Sequence, residues 1–258
     1  QPVITEAPRF SLIELFTISP IGTIGALVSG MLSGPLLGLG HVFGAGVGFS
    51  ETGIATFMAA TILGGAAFQW PVGHFSDRHD RRWVLLLVAI ACAVVAGVGY
   101  FLARDYENSL IALGVVFGGL AFTVYGISVA HVNDLVDRVK VLQVTGGLLL
   151  LNGIGATIGP TLAGGMMDVF GPEALMLYFS CVLAALAVLT WHYKRKYPMN
   201  SGEPTEKADF VMAGASTQAV LPMDPRFPDS EMLAPAAVDS VAPPAEEPFP
   251  VKQESGAP

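Results

Sequence analysis

A dense cluster of charged side chains interrupts an otherwise apolar sequence at residues 71–85, PVGHFSDRHDRRWVL. The cluster holds two acids, three arginines and two histidines, while residues 52–72 and 83–103 contain no Asp, Glu, Lys or Arg. Arginines beside apolar runs are typical of a loop held at a membrane surface, but that role gives no reason for an acid. Asp77 is therefore the first candidate for a functional charge.

Uncharged polar residues inside the apolar runs are the other candidates, since such groups mark solute and ion pathways in membranes. Asn152, Gln69 and His41 are predicted to line a substrate cavity. Helix–helix hydrogen bonding is the alternative for Asn152, and an interfacial position is the alternative for His41. The sequence has no metal-ligand spacing, no Gly-x-Ser-x-Gly turn and no P-loop. We therefore expect no enzyme activity, no metal or cofactor, and no nucleic-acid partner.

The composition places these residues in a membrane protein. Hydrophobic residues make up 52% of the 258 residues and charged residues 13%, with a mean hydropathy of +0.59, whereas soluble domains carry about 25% charged residues. A helix that crosses a bilayer needs about 20 mostly apolar residues. Six runs meet that requirement, near 18–42, 52–72, 83–103, 109–130, 143–167 and 174–193. The predicted fold is an all-α integral membrane bundle over residues 1–195.

The first run is too long for one straight span. Pro35 lacks a backbone N–H and is expected to kink this helix. Residues 41–50, HVFGAGVGFS, are glycine-rich and are predicted to form its frayed end and the following loop.

Lysines and arginines alternate between the two ends of the predicted spans. Nine of them flank one side of the bundle, and Arg104 alone flanks the other. The positive-inside rule then places both termini and the 71–85 loop in the cytoplasm. The predicted location is the plasma membrane, which in a bacterium is the inner membrane, with the lipid bilayer as a partner.

Residues 196–258 differ from the rest of the chain. Eleven of the 18 prolines follow residue 197, and residues 201–258 carry ten acids against three bases. Such a segment buries too little apolar surface to offset its ordering entropy, so we predict a disordered, acidic, cytoplasmic tail. Because the chain starts at Gln1 and not at Met, we expect either a processed chain or a piece of a longer one.

Two segments 91 residues apart are similar. GHFSD at 73–77 matches GGMMD at 164–168, and at the same offset Gly64 meets Gly155 and Thr61 meets Asn152. The pattern predicts two three-helix repeats, the second inverted, so that the loop after Asp168 faces outward and lacks the arginines. Inverted repeats of this kind are typical of secondary transporters.

Small residues recur every four positions on the first and fifth spans. In membranes such stripes let helix backbones approach closely. Gly30 and Gly34 on the first span, and Gly155 and Gly159 with the adjacent Pro160 on the fifth, are predicted to pack helices and not to bind substrate.

The segment GHFSDRHDRR resembles the signature loop of the major facilitator superfamily, G-x-L-a-D-R-x-G-R-[RK]. The matching positions are Gly73, Ser76, Asp77, Arg78, Arg81 and Arg82, while Phe75 and Asp80 replace the usual Leu and Gly. GIGATIGPTLAGG at 153–165 is similar to a stretch of the family's eleventh helix. The resemblance covers residues 10–195 and points to the carboxy-terminal six-helix half in a YcaD-like subgroup.

The resemblance implies half of a twelve-helix secondary transporter that moves a small solute by alternating access. The partner is then an absent amino-terminal half; a homodimeric six-helix transporter and a non-transporting scaffold or sensor are the alternatives. In the family the loop acid, here Asp77, latches the outward-facing state onto a helix of the other half. Arg78 and Arg82 are expected to bind acids of the same half, with Asp134 as the first choice and Asp137 as the second. Arg81 is interpreted as an orienting charge only.

Overall fold

A computed structural model describes residues 12–103, 107–137 and 140–196. In these residues the chain forms α1 (Leu12–Ile18), α2 (Pro20–Gly46), α3 (Glu51–Arg78), α4 (Arg81–Leu102), α5 (Glu107–Asn133), α6 (Val141–Phe170) and α7 (Ala174–Lys196). Helices α2 to α7 are long and apolar enough to cross a membrane, which confirms the predicted all-α bundle of six spans. The predicted tail lies outside the described residues from 197 onward.

Helix α2 is longer than its apolar pattern suggested. Ser19 caps it, because the Ser19 hydroxyl accepts a hydrogen bond from the Gly22 amide at 3.2 Å. The helix then continues through Pro35 to Gly46, so the predicted frayed end is regular helix and the predicted loop is limited to residues 47–50. Glycine is tolerated there because helical hydrogen bonds keep the backbone satisfied in a bilayer. The chain turns at Gly48, whose φ of +92° suits a residue without a Cβ.

The six spans interlock as two inverted repeats, α2–α3–α4 and α5–α6–α7. The most extensive contacts join α2 to α6 and, equivalently, α5 to α3, while the third helices, α4 and α7, pack on each other. The first helix of each repeat therefore packs against the second helix of the other repeat. The predicted inverted repeat is confirmed in this arrangement.

In both helix pairs, α2 with α6 and α5 with α3, glycines allow the two backbones to come into direct contact. A Cβ added to Gly155 would overlap the Leu27 carbonyl oxygen, and one added to Gly64 would overlap the Val115 carbonyl oxygen. The equivalent contacts are Leu27–Gly155 and Gly30–Asn152 between α2 and α6, and Val115–Gly64 and Gly118–Thr61 between α5 and α3. Any side chain at these glycines would push the helices apart.

Burial is uneven among the six spans. In their most apolar stretches, only 28% of the α3 residues and 22% of the α6 residues are buried, against 61% in α2. Helices α3 and α6 hold equivalent places in the two repeats, so the bundle leaves open two symmetry-related faces. The main hydrophobic core is rich in residues of α4 and α7, such as Leu85, Cys92, Phe179 and Leu183.

Candidate functional site

The charged segment forms the junction between α3 and α4 at the basic end of the bundle, defined as the end that carries this junction, the α5–α6 connection and the last turn of α7. Helix α3 ends at Arg78, His79 is extended, and α4 begins at Arg81. Asp80 caps α4, because its carboxylate accepts a hydrogen bond from the Arg82 amide at 2.9 Å. The φ of Asp80 is −62°, so the position needs no glycine. An acid here also suits the positive end of the α4 dipole.

Arg81 is the centre of an ion-pair network at this junction. Its Nη1 donates to Asp77 Oδ1 at 2.9 Å, and its Nε donates to Asp134 Oδ2 at 2.6 Å. The Arg81 side chain is 2% exposed, whereas the Asp134 and Asp77 side chains are 16% and 24% exposed. The guanidinium therefore ties the end of α3 and the start of α4 to the residue that follows α5.

The network corrects the expected role of Arg81. Arg81, which was expected only to orient the loop, makes the contacts to both acids, and Asp134 receives its contact from Arg81. As the first residue of α4, Arg81 faces α5, while Arg78 is exposed in the last turn of α3. The helical i,i+4 rule gave no signal for this pair, because Asp77 lies in α3 and Arg81 begins α4 after the extended His79.

Helix α7 closes the same end from another side. Lys194 Nζ lies 3.7 Å from Asp80 Oδ2 and 4.4 Å from the centre of the Trp83 ring. Gly73 is buried one turn before Asp77. The junction is thus held by α5 through Arg81 and by α7 through Lys194.

The polar residues predicted for a cavity lie on three different helices, Asn152 on α6, Gln69 on α3 and His41 on α2. The Asn152 amide donates to Ser29 Oγ at 2.7 Å and to the Ala26 carbonyl at 3.4 Å, which joins α6 to α2. This is the helix–helix alternative for Asn152. His41 is exposed near the end of α2, and Gln69 is partly buried in α3. Within the described part of the chain, Asn152 bonds to neither of them.

The glycines and the proline assigned to helix packing lie at this α2–α6 crossing. A Cβ on Gly34 would overlap the Ala156 carbonyl, and a Cβ on Gly159 would lie 2.9 Å from Pro35 Cδ. Pro160 follows Gly159 inside α6. Sequence reasoning did not single out Ser29 or Tyr178, whose hydroxyl bonds to the Met31 carbonyl at 3.2 Å. The signal for Tyr178 was Pro35, since a proline frees the carbonyl four residues before it.

The described residues contain no group of three or more His, Cys, Asp or Glu side chains that could hold a metal ion. What the basic end offers is a buried cation between two partly exposed carboxylates. Such a network can stabilise one arrangement of helices relative to another.

Comparisons with known proteins point in one direction. Residues 15–248 match the family model described as Major Facilitator Superfamily. The chain is 28% identical over 167 residues to an uncharacterised MFS-type transporter of Enterobacter sp. (strain 638), covering 63% of this chain and 41% of that protein. Over 162 residues it is 28% identical to one of Yersinia enterocolitica and 26% identical to YcaD of Escherichia coli, with the same coverage. The chain thus spans about two fifths of the length of these relatives. No solved structure matches it.

Proposed function

The chain belongs to the Major Facilitator Superfamily, and from this premise we propose that it is one half of a secondary active transporter that moves a small solute by alternating access. It is an integral membrane protein with six membrane-spanning helices and relatives named as transporters. The observation that carries the proposal is the pair of interlocked inverted repeats, because repeats of this kind let a bundle rock about a site near the bilayer midplane.

Two uncovered faces support an incomplete assembly. Helices α3 and α6 hold equivalent positions and are the least buried spans. The uncovered face of α6 runs along residues 146–158 and is lined mainly by glycine and aliphatic side chains. The relatives are more than twice as long as the matched segment. We therefore assign these faces to an amino-terminal six-helix half, with a second copy of this chain as the alternative occupant.

The contacts at the basic end are the basis for proposing that Asp77 latches the outward-facing state. Asp77 is held by Arg81 yet keeps 24% of its side chain exposed, so a helix N-terminus of the other half can approach it from the open α3 face. An acid is favoured at such a terminus. In this proposal Arg81 fixes the position of Asp77, and Asp134 fixes Arg81. Closing the basic end then favours the outward-facing state.

The orientation belongs to the same proposal. The basic end gathers the arginines of the α3–α4 junction, Lys140 at the start of α6 and the cations at the end of α7. The positive-inside rule places that end in the cytoplasm, with both termini on the same side of the plasma membrane.

The test is transport by the full natural gene product, including any sequence that precedes Gln1, in proteoliposomes loaded with a solute panel. Accumulation or counterflow of one solute class, with slower rates for Asp77→Asn at unchanged insertion, supports the proposal. Transport by this chain alone, as a dimer, would give the α3 and α6 faces to a second copy. A correctly folded protein that moves no member of the panel would favour the scaffold alternative.

A further inference from the structure

Pro35 leaves one carbonyl of α2 without its usual partner. In an α-helix the amide of residue 35 donates to the carbonyl of residue 31, and proline has no amide hydrogen. Met31 therefore carries a carbonyl that α2 cannot satisfy in the usual way. Within a bilayer no water is at hand to replace that donor, so another protein group is needed.

Tyr178 supplies the missing donor from α7. Its hydroxyl lies 3.2 Å from the Met31 carbonyl oxygen, and the residue is 3% exposed. The Tyr178 ring is held edge-on against Phe179, with ring centres 5.7 Å apart. Gly159 of α6 lets the helices approach here, since a Cβ on it would lie 3.0 Å from the same oxygen. Three helices thus meet at the carbonyl that Pro35 frees.

The carbonyls freed by the other two prolines inside the spans have no hydroxyl partner among the described residues. Pro160 frees the Ala156 carbonyl, which lies against the Cα of Gly34, a contact that offers only a weak C–H donor. Pro71 frees the Ala67 carbonyl on the exposed side of α3. Among the described residues, Tyr178 is the one side chain with a hydroxyl bonded to a proline-freed carbonyl.

We propose that Tyr178 is a positioning residue that fixes the direction of α2 beyond Pro35. A helix interrupted by proline bends there because the local hydrogen bond is already absent. The segment from Leu36 to Gly46 carries Phe43, which packs against Phe49 and Phe57 at the end opposite the basic junction. The Tyr178 hydroxyl therefore holds the angle of the segment that closes this end.

The functional part of the inference rests on the proposed transport function. If the bundle alternates between two states, a bond made in the conformation described here biases the equilibrium toward that conformation. Hydrogen bonds between membrane helices are modest, so loss of this one should change the populations roughly threefold. That is large enough to alter transport kinetics while leaving the fold intact.

The test is a double-mutant cycle in the full natural gene product, reconstituted in lipid nanodiscs. Tyr178→Phe removes the hydroxyl and keeps the ring, whereas Pro35→Ala restores the amide that donates to the Met31 carbonyl. The readout is hydrogen–deuterium exchange of residues 36–46, measured by mass spectrometry. We expect Tyr178→Phe to speed exchange roughly threefold with Pro35 present and to have no effect in the Pro35→Ala background.

The control is Tyr100→Phe, which removes a hydroxyl from α4 that bonds to nothing among the described residues; exchange over 36–46 should not change. An equal effect of Tyr178→Phe in both backgrounds, or no effect in either, overturns the proposal. If Tyr178→Phe fails to fold, recovery of monodisperse protein on adding Pro35→Ala supports the proposal, and no recovery contradicts it.

Exchange and transport separate the two proposals. Because exchange needs no substrate, a positive cycle in a protein that moves no solute would refute transport and keep the positioning role. A measurable transport activity with no coupling between Tyr178 and Pro35 would refute the positioning role alone. If both the transport function and the positioning role hold, Tyr178→Phe should change the maximal transport rate more than the solute concentration at half-maximal rate.

Discussion

Replacing Arg81 by Met is the sharpest perturbation of the network at the basic end. The variant keeps much of the side-chain volume but removes the guanidinium that contacts Asp77 and Asp134. Removing one partner of a buried ion pair costs about 3–5 kcal/mol when the other charge stays buried. Asp77 and Asp134 are 24% and 16% exposed, so water offsets part of that loss. We therefore expect the free energy of unfolding to fall by about 2–3 kcal/mol.

The assay is unfolding of the full-length protein in mixed micelles, followed by tryptophan fluorescence over a denaturant titration. Arg78→Met is the matched control, because Arg78 is exposed and should change stability by less than about 0.5 kcal/mol. Adding Asp77→Asn and Asp134→Asn to Arg81→Met removes the two carboxylate charges that Arg81 contacts and should recover most of the loss. Equal stabilities of the Arg81→Met and Arg78→Met variants would refute the argument that Arg81 holds the junction.

Three further outcomes are expected from other contacts. Gly155→Leu should separate α6 from α2 and lower the yield of folded protein, with a loss of about 1–3 kcal/mol or more in the free energy of unfolding. Gly165→Leu is the control, because Gly165 faces open space and the larger side chain should be tolerated. Equal yields of the two variants would contradict the close contact of α2 with α6. Asn152→Leu and Ser29→Ala should each cost about 0.6 kcal/mol in unfolding titrations, and the double variant should lose less than the sum, because both remove one hydrogen bond. Asp80→Ala removes the α4 cap and should lower the stability of the helix start by about 1 kcal/mol. The loss should appear as faster amide exchange in the first turn of α4. Unchanged exchange there would contradict the capping role.

Much of the fold could be predicted because a bilayer imposes strong constraints on sequence. Each span must be a helix about 20 residues long, so apolar length alone located six of them. The 91-residue match of Gly64 with Gly155 and of Thr61 with Asn152 located the repeat, since these residues make the glycine crossings. The residues they pack against, such as Leu27 and Val115, could not be predicted, because a helix sequence does not specify its neighbour.

The site was harder to predict, because its contacts join different helices. Asp77 could be singled out as an acid among orienting bases, but the burial of Arg81 depends on how α4 faces α5. The hydrogen-bond partner of the Asn152 side chain is Ser29, which lies 123 residues earlier in the sequence. The pattern of charges along a chain predicts the orientation of the spans in the membrane. It does not predict which charged side chains form ion pairs, because those pairs are set by the tertiary packing.

The central claim is alternating access controlled by the Asp77 latch, and a distance across the basic end tests it most directly. Spin labels are placed at His74, which is exposed on α3, and at an exposed residue on the basic end of the other half, in full-length protein in nanodiscs. Pulsed EPR should give two distance populations, and Asp77→Asn should shift them toward the longer distance as the basic end opens. A single distance that Asp77→Asn leaves unchanged would contradict the account.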